Sequence, residues 1–324
     1  MLRPVALTLI FGKVAEVSKR FVTAFIVVAL IGFGVSTADA KSGRTALRMI
    51  PSGTAMVMAV NVDTLKGSPV FQKIAGKMTT QNSLRPALEL LRRGAGVDIR
   101  KDVSTIVVGL AADFERSKKA ALFIEAKVDR KKLLAFAKRT DPKFKKLVHG
   151  GVSYYRLGAE IELAFLGSYI ALAGKHHMAR LLDVRAGRSK SISQDAAFRS
   201  MVNAGTTQRD IWGVFQLPAQ VRALLAPQVG NGGVSMVMVG AEFAQGMDLH
   251  LRIAAKTVPG AAALAKQLRT WLATAGSNTQ LSALGLGKAL RAFQVNVINR
   301  KVDVTGALSP KQLAPIKSLI LNLL

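Results

Sequence analysis

Residues 54–62 read TAMVMAVNV, an almost continuous apolar run that follows the turn-forming residues PSG. A strand with only one buried face alternates apolar and polar residues, whereas this run is apolar at both odd and even positions. A short apolar run that follows turn residues is typical of a fully buried strand. We therefore expect these residues to form a central strand of a sheet.

Further segments of strand length follow in the first half of the chain. They are residues 105–112, 119–128, 152–157, 160–165 and 169–173. The first two are joined by the charged turn DFERSK, and the last three by tight turns at Gly158 and Gly167. Strands joined by such short turns run antiparallel, because a parallel pair needs a long crossover connection. Combined with the helical segments between them, this pattern predicts the α+β class.

The second half of the chain repeats this order of elements. DIWGVFQLP takes the place of the central strand, and VSMVMVGAEF and GMDLHLRIAAK take the place of the next two. A long amphipathic helix and a hairpin follow, at residues 261–276 and 294–308. The shared order predicts an internal duplication into two similar halves, each an antiparallel sheet with helices packed on one face. We expect the two domains to cover residues 41–187 and 188–324.

The N-terminus carries the features of a secretory leader. Residues 21–38 follow two basic residues, contain no charged residue, and lead into an A-x-A site that closes at Ala40. A basic start, an apolar run and a small-residue cleavage site predict a signal peptide over residues 1–40. The mature protein is then exported to the periplasm or the extracellular space. The alternative is an uncleaved single-span N-terminal membrane anchor, for which the apolar run is short.

Three stretches of the first half resemble a family of secreted bacterial α+β proteins of unknown function. They are VNVDTLKGSPVFQKI, GVDIRKDVSTIVVGL and KVDRKKLLAFAK, which carry a D-x-L-x-x-S-P helix start and a G-x-D-x-x-x-D-V turn. The resemblance covers roughly residues 49–139. It implies export and an α+β architecture, and it implies no activity and no site residues.

The sequence lacks the motifs of the common enzyme classes. There is no cysteine, so thiol catalysis, cysteine metal sites and a lipid-modified cysteine are excluded. The G-x-S-x-G and S-x-x-K nucleophile motifs and the Walker phosphate loop are absent from the sequence. We therefore expect a non-enzymatic protein with no catalytic residue, cofactor or metal site. A hydrolase with an unrecognised site is kept as one alternative.

The histidines give weak signals for a site. His176 and His177 are adjacent on a predicted helix, so they point about 100° apart and do not readily share one ion. We interpret them as an exposed helix start. His250 alternates with Asp248 and Arg252 along one strand face, which is more typical of a solvated polar face than of a site.

A pair of carboxylates gives another weak signal for a site. Glu160 and Glu162 fall two residues apart on a predicted strand, which places them roughly 7 Å apart on one face. That spacing lies within the range of glycosidase carboxylates. However, aromatic residues make up only 6% of the chain, which disfavours an aromatic sugar-binding cleft.

The strongest chemical signal is positive charge. The chain has 46 Lys and Arg against 19 Asp and Glu, a formal net charge of +27. Residues 130–146, RKKLLAFAKRTDPKFKK, hold eight basic residues and one acidic residue. Asp129 is placed to cap a helix there, and an apolar stripe that includes Leu133 and Leu134 has helical spacing. The basic residues then lie on the solvent side of an amphipathic helix and in the segment that follows it.

We predict that these basic residues form a cationic surface for an anionic partner of the cell envelope, either a polymer or lipid headgroups. The cationic surface consists of Arg130, Lys131, Lys132, Lys138, Arg139, Lys143, Lys145 and Lys146. Export argues against nucleic acid as the partner. One alternative is that these residues form a solvated face that binds no partner and serves only solubility. A second functional alternative is that the protein carries an apolar ligand between sheet and helices. Nothing in the sequence specifies an oligomeric state, and membrane spanning requires that the leader is retained.

Overall fold

The computed structural model describes residues 43–65, 92, 94, 96–117, 119–202, 204–217, 222, 233–243, 246–283 and 286–312. The described strands, numbered in chain order, are β1 Thr54–Asn61, β2 Val103–Ala111, β3 Ala120–Ala126, β4 Lys145–His149, β5 Val152–Leu157, β6 Ile161–Leu166, β7 Tyr169–Gly174, β8 Ile211–Gln216, β9 Val234–Glu242, β10 Met247–Ala255, β11 Gln294–Ile298 and β12 Lys301–Leu308.

The described helices are α1 Arg44–Leu47, α2 Val62–Leu65, α3 Ile99–Asp102, α4 Phe114–Ser117, α5 Arg130–Thr140, α6 Met178–Arg185, α7 Ala196–Met201, α8 Ala204–Gln208, α9 Val258–Gly276, α10 Thr279–Ala283 and α11 Leu286–Ala292. A 3-10 turn spans Ile192–Gln194. The predicted leader at residues 1–40 lies outside the described residues. Among the described residues, no helix has both the length and the apolar character needed to cross a bilayer.

All twelve strands belong to one antiparallel sheet. Their order is β11-β12-β10-β9-β8-β1-β2-β3-β7-β6-β5-β4. The α+β class is confirmed, and β1 lies between β2 and β8 as the prediction of a central strand requires. The seven described strands of the first half and the five of the second meet at the β1–β8 pair, with six strands beyond β1 and four beyond β8.

The two halves do not form separate sheets, which corrects the sequence-based expectation. β1 pairs with β8 in antiparallel register, from Met56 opposite Phe215 to Val60 opposite Ile211. Each of these strands comes first in its half of the chain. If the halves were separate, each would leave an unpaired row of backbone N–H and C=O groups. The β1–β8 pair satisfies both rows at once.

The larger core lies on the face of the sheet that carries Val57, Phe123 and Trp212. Helices α1, α6 and α7 and the 3-10 turn cover this face, and Leu47, Leu181 and other residues from them join the same cluster. The covering segments come from the start of the described chain and from the connection between β7 and β8. This connection therefore packs across the centre of the sheet.

Helix α9 covers the opposite face of the second half. Its Leu264 and Ala265 pack with Ile253 of β10 and Val302 of β12. Successive residues of a strand point to opposite faces, so these strand residues lie on the other side from Arg252 and Asp303. Helices thus cover both faces of the sheet, and the predicted arrangement with helices on one face is wrong. Coverage of both faces explains why the central strand is apolar at both its odd and its even positions.

The two edge strands of the sheet differ in charge. β4 begins with the exposed Lys145 and Lys146, and Val148 on the same strand is 64% exposed. β11 reads QVNVI and exposes Ile298. Lysine on an edge strand discourages pairing with another chain, because the added strand would have to bury or displace the charge. Lys145 and Lys146 of the cationic surface therefore lie at the charged edge of the sheet.

Candidate anion-binding surface

Helix α5 begins where the sequence predicts. The side chain of Asp129 accepts hydrogen bonds from the backbone N–H groups of Lys131 and Lys132, at 2.9 and 3.1 Å. A side-chain cap of this kind satisfies donors that have no partner within the helix. The helix ends at Thr140, directly before Asp141 and Pro142, because a residue before proline is disfavoured in helical conformation.

The helix presents its basic residues to solvent. At 100° per residue, Lys131, Lys132, Lys138 and Arg139 fall within an arc of about 120°. All four are exposed. The apolar stripe is half-buried on the other side, at Leu133, Leu134, Phe136 and Ala137. The predicted amphipathic character is therefore present, although no residue of α5 is fully buried.

The other four residues of the cationic surface lie at the two ends of α5 and on β4. Arg130 starts the helix and donates a hydrogen bond to the carbonyl oxygen of Gly167 at 2.5 Å. Lys143 follows the helix, and Lys145 and Lys146 begin the edge strand. All four are exposed, so every predicted member of the surface is accessible to a partner.

The neighbouring carboxylates bind backbone amides. Asp129 accepts from the amides at the start of α5, and Asp141 accepts from the backbone N–H groups of Lys143 and Gly158. Among the described residues, no carboxylate forms an ion pair with any member of the cationic surface. The acidic residues thus build the local backbone and leave the eight side-chain charges available.

A row of aromatic rings runs beneath the cations. The rings of Phe144 and Tyr155 stack with centroids 5.5 Å apart, and Tyr155 meets Phe165 edge-on at 6.4 Å. The guanidinium of Arg130 lies 5.2 Å from the Phe165 ring centroid, within cation–π range. Lys146 is directly opposite Tyr155 in the β4–β5 register. The row therefore connects the start of α5 with Lys146 on β4, whereas the neighbouring Lys145 points to the opposite face of the strand.

Sequence reasoning did not find Tyr155 or Phe165. Both are half-buried and lie on the same face of neighbouring strands. The signal was available in principle, because the tight turns of the meander fix the register of β5 and β6. In the registers of β4 with β5 and of β5 with β6, Tyr155 and Phe165 lie on the same face as Lys146.

An ionic cluster attaches this edge of the sheet to α6. His149 Nε2 lies 2.8 Å from Asp183 Oδ1, and Arg188 donates to the same carboxylate at 2.8 Å. The hydrogen bonds from His149 and Arg188 lower the pKa of the Asp183 carboxyl. The cluster holds the β4–β5 turn, which contains Gly150 and Gly151 at positive φ, against a helix of the main core.

The His250 strand face differs from its predicted solvated character. Arg252 donates two hydrogen bonds to Asp303 of β12, and His250 Nε2 lies 3.7 Å from Asp303 Oδ1. Burial disfavours ionisation of Asp303, but the bonds from Arg252 and His250 outweigh it and hold the pKa of the carboxyl well below its usual range. Asp248 alone of the predicted row is exposed. The group is a buried ion pair, and among the described residues no cluster has the composition of a metal site.

The two glutamates that were predicted to share one strand face lie in different environments. Glu160 is exposed in the turn before β6, whereas Glu162 lies within the strand and is 1% exposed. Arg156 donates to Glu162 Oε1 at 2.9 Å, and Glu162 Oε2 has no partner. Burial and the nearby Glu162 raise the pKa of Tyr154. A carboxylate pair of the glycosidase kind is therefore not formed.

His176 and His177 also differ in their environment, because only His176 is exposed. His176 adopts a positive φ of 65° in the turn before α6. His177 is 8% exposed and lines a small pocket with Lys119 and Arg180, so the prediction of an exposed helix start is wrong for this residue. The pocket offers about 20 Å³, far below the several hundred Å³ of a pocket for an apolar ligand. It gives no support to the carrier alternative.

Comparisons with known proteins identify a similar fold. No family model matches this chain, and no curated protein matches it. Among solved structures, crystal form IV of the bacterial protein TP0453 aligns with a TM-score of 0.50 at 10% identity, covering 86% of this chain and 99% of that chain. Crystal form III aligns with a TM-score of 0.47 at 11% identity, covering 87% and 99%. At these identities the likeness shows the fold alone, and the resemblance to an exported bacterial family stays a prediction.

Proposed function

We propose that the protein is an exported, non-enzymatic component of the cell envelope whose cationic surface binds an anionic polymer or anionic lipid headgroups. The observation that carries this proposal is the set of eight exposed basic side chains beside Asp129 and Asp141, both of which bind backbone amides. Uncompensated charge of one sign on an exposed surface attracts polyanions from solution.

The aromatic row supports the same function. Phe144, Tyr155 and Phe165 are half-buried and in contact with one another, and the Arg130 guanidinium lies over the Phe165 ring. An aromatic surface beside basic side chains suits a partner whose anionic groups are attached to apolar or ring-shaped portions. Envelope lipids and envelope polysaccharides both have this composition.

Charge replacement on the surface tests the proposal. One variant changes Lys131, Lys132, Lys138 and Lys143 to Gln. These positions are exposed, so each change is expected to alter the free energy of unfolding by no more than about 0.5 kcal/mol. Binding to anionic vesicles, lipopolysaccharide and wall polymer is measured by co-sedimentation at low and high salt. We expect weaker binding by the variant, and weaker binding by the wild type at high salt, because exposed charges are screened over about 8 Å at 0.15 M ionic strength.

A matched control removes the same net charge elsewhere. It changes Lys256, Lys266, Lys288 and Arg300 to Gln, all of which are exposed and lie away from α5 and β4. The proposal requires that this control binds more tightly than the surface variant. Equal loss in both variants would assign the binding to net charge, and equal binding by all three proteins would assign the surface to solubility alone.

Export is part of the same proposal and has its own test. The A-x-A site at Ala40 predicts that the mature chain begins at Lys41. N-terminal sequencing of the native protein checks this start. A native protein that retains residues 21–38 in the membrane fraction would contradict cleavage and would make the protein membrane-anchored.

We also propose that the two halves are an internal duplication. Outward from the central pair, the order is β1-β2-β3-β7 on one side and β8-β9-β10-β12 on the other. In each half a long helix, α5 or α9, follows the third strand, and the last strand returns to pair with that third strand. Superposition of the halves in a crystal structure tests this proposal. The five shared elements should overlay in order and direction, and a helix on opposite faces in the two halves would contradict it.

A further inference from the structure

A second basic site lies on the other face of the sheet from the aromatic row. Its floor includes Gly109 of β2 and Ala121 of β3, which are directly opposite each other in register. Its walls are the turn before β1, which contains Ser52 and Gly53, and the start of α6. The site is therefore separate from the cationic surface in both position and supporting elements.

His177 is the unusual member of this pocket. It precedes the first residue of α6, is 8% exposed, and lines the pocket. Its ring nitrogens are not among the buried polar atoms that lack a partner, so they are accessible from the pocket. The His177 ring is thus mostly buried and presents its accessible part to the pocket.

Two permanent cations lie beside this ring. Burial, then the charges of Arg180 and Lys119, lower the pKa of His177 to about 4. Arg180 donates one hydrogen bond to the carbonyl oxygen of Ser52 at 3.2 Å and keeps its other donors. Among the described residues that line the pocket there is no carboxylate to neutralise these groups. The pocket therefore concentrates positive charge and hydrogen-bond donors around a partly enclosed space.

We propose that this pocket binds a single phosphate group, with Arg180 and Lys119 as its cationic ligands and the His177 ring as a third hydrogen-bonding group. The basic groups come from two separate elements, α6 and the residue preceding β3, so they approach the space from different sides. A tetrahedral phosphate offers oxygens in all these directions, whereas a carboxylate offers two in one plane. The small volume of about 20 Å³ leaves most of any larger molecule outside the pocket.

Titration of the full-length mature chain with inorganic phosphate, followed through the imidazole signals of its histidines by NMR, tests the site. His177→Gln assigns the signal. We expect a saturable shift of the His177 signal with a Kd on the order of 1 mM. We also expect the pKa of His177 to rise when phosphate is bound, because a neighbouring anion stabilises the imidazolium. Acetate at the same ionic strength should produce a much smaller shift.

Charge variants identify the ligands. Arg180→Gln and Lys119→Gln should each weaken phosphate binding about tenfold, the usual effect of losing one charge-assisted hydrogen bond. Lys146→Gln removes the same charge from the cationic surface and should leave the Kd unchanged. A parallel titration with glycerol phosphate shows whether the site prefers the free ion or a headgroup, and saturable binding of either supports the proposal. The absence of a saturable shift with both probes, or an equal loss in Lys146→Gln, would overturn it and would leave the proposed function of the cationic surface unaffected.

Discussion

Arg252 on β10 donates two hydrogen bonds, of 2.7 and 2.9 Å, to Asp303, the residue directly opposite it on β12. The side chains are 14% and 11% exposed. His250 approaches the same carboxylate from the same strand as Arg252. The ion pair therefore links β10 and β12 in a mostly dry environment, where each charge depends on the other.

Removing one partner of this pair should destabilise the protein strongly. Asp303→Leu leaves the Arg252 guanidinium without its counter-charge, and we expect a loss of about 3 kcal/mol in the free energy of unfolding. The measurement is urea denaturation followed by circular dichroism. The double variant Arg252→Leu, Asp303→Leu removes both charges and should lose less than Asp303→Leu alone. A double variant that is less stable than the single variant would contradict this account.

The buried His177 should make stability depend on pH. Its pKa in the folded protein is lowered to about 4, whereas in the unfolded chain it is near 6.5. Between these values the unfolded chain binds more protons, so the free energy of unfolding should fall as the pH drops from about 6.5 to about 4. His177→Gln should flatten this dependence, measured by thermal unfolding across the pH range. His176→Gln is the control, because His176 is exposed, and it should keep the wild-type slope.

The capping role of Asp129 can be separated from its charge. Asp129→Ala removes the acceptor for the amides of Lys131 and Lys132 and should cost about 1 kcal/mol. Hydrogen exchange of the α5 amides is the local readout. Asp129→Asn changes the net charge by the same amount and retains a capping oxygen, so α5 should stay protected. Equal loss of protection in both variants would show that the charge of Asp129 matters more than its cap.

Gly306 on β12 leaves space for an aromatic ring. A Cβ atom at this position would lie 2.5 Å from two atoms of the Phe293 ring. Gly306→Ala should therefore displace the ring and cost about 1–3 kcal/mol in unfolding free energy. In a Phe293→Leu background the same change should cost less, because the smaller side chain makes room. Additive costs in the double variant would rule out this contact as the cause.

Local features of this fold could be predicted from the sequence. The apolar run that became β1, the cap at Asp129 and the tight turns at Gly158 and Gly167, which have φ of 59° and 70°, all depend on residues within a few positions of each other. The exposure of the cationic surface follows from the same short-range periodicity. These features were expected because helical and strand periods fix the direction of nearby side chains.

Contacts between distant residues account for what could not be predicted. Arg252 and Asp303 are separated by 51 residues, and their pairing depends on β12 returning to β10. Burial of His177 depends on the turn before β1 and on Lys119, which lie far away in the chain. The pairing of β1 with β8 likewise joins segments whose separate patterns are equally compatible with two sheets. The hydrophobic pattern of a segment specifies which of its faces is buried, but it does not specify which other element covers that face.

The β1–β8 pair has a thermodynamic consequence. If residues 188–324 unfolded alone, β1 would lose its neighbour, and Trp212 and Val214 of β8 would leave the core that they share with Val57. The edge strand of the first half and its apolar side chains would then be exposed to water. Unfolding of either half alone is therefore disfavoured. The chain should unfold in a single cooperative transition whose calorimetric and van't Hoff enthalpies agree.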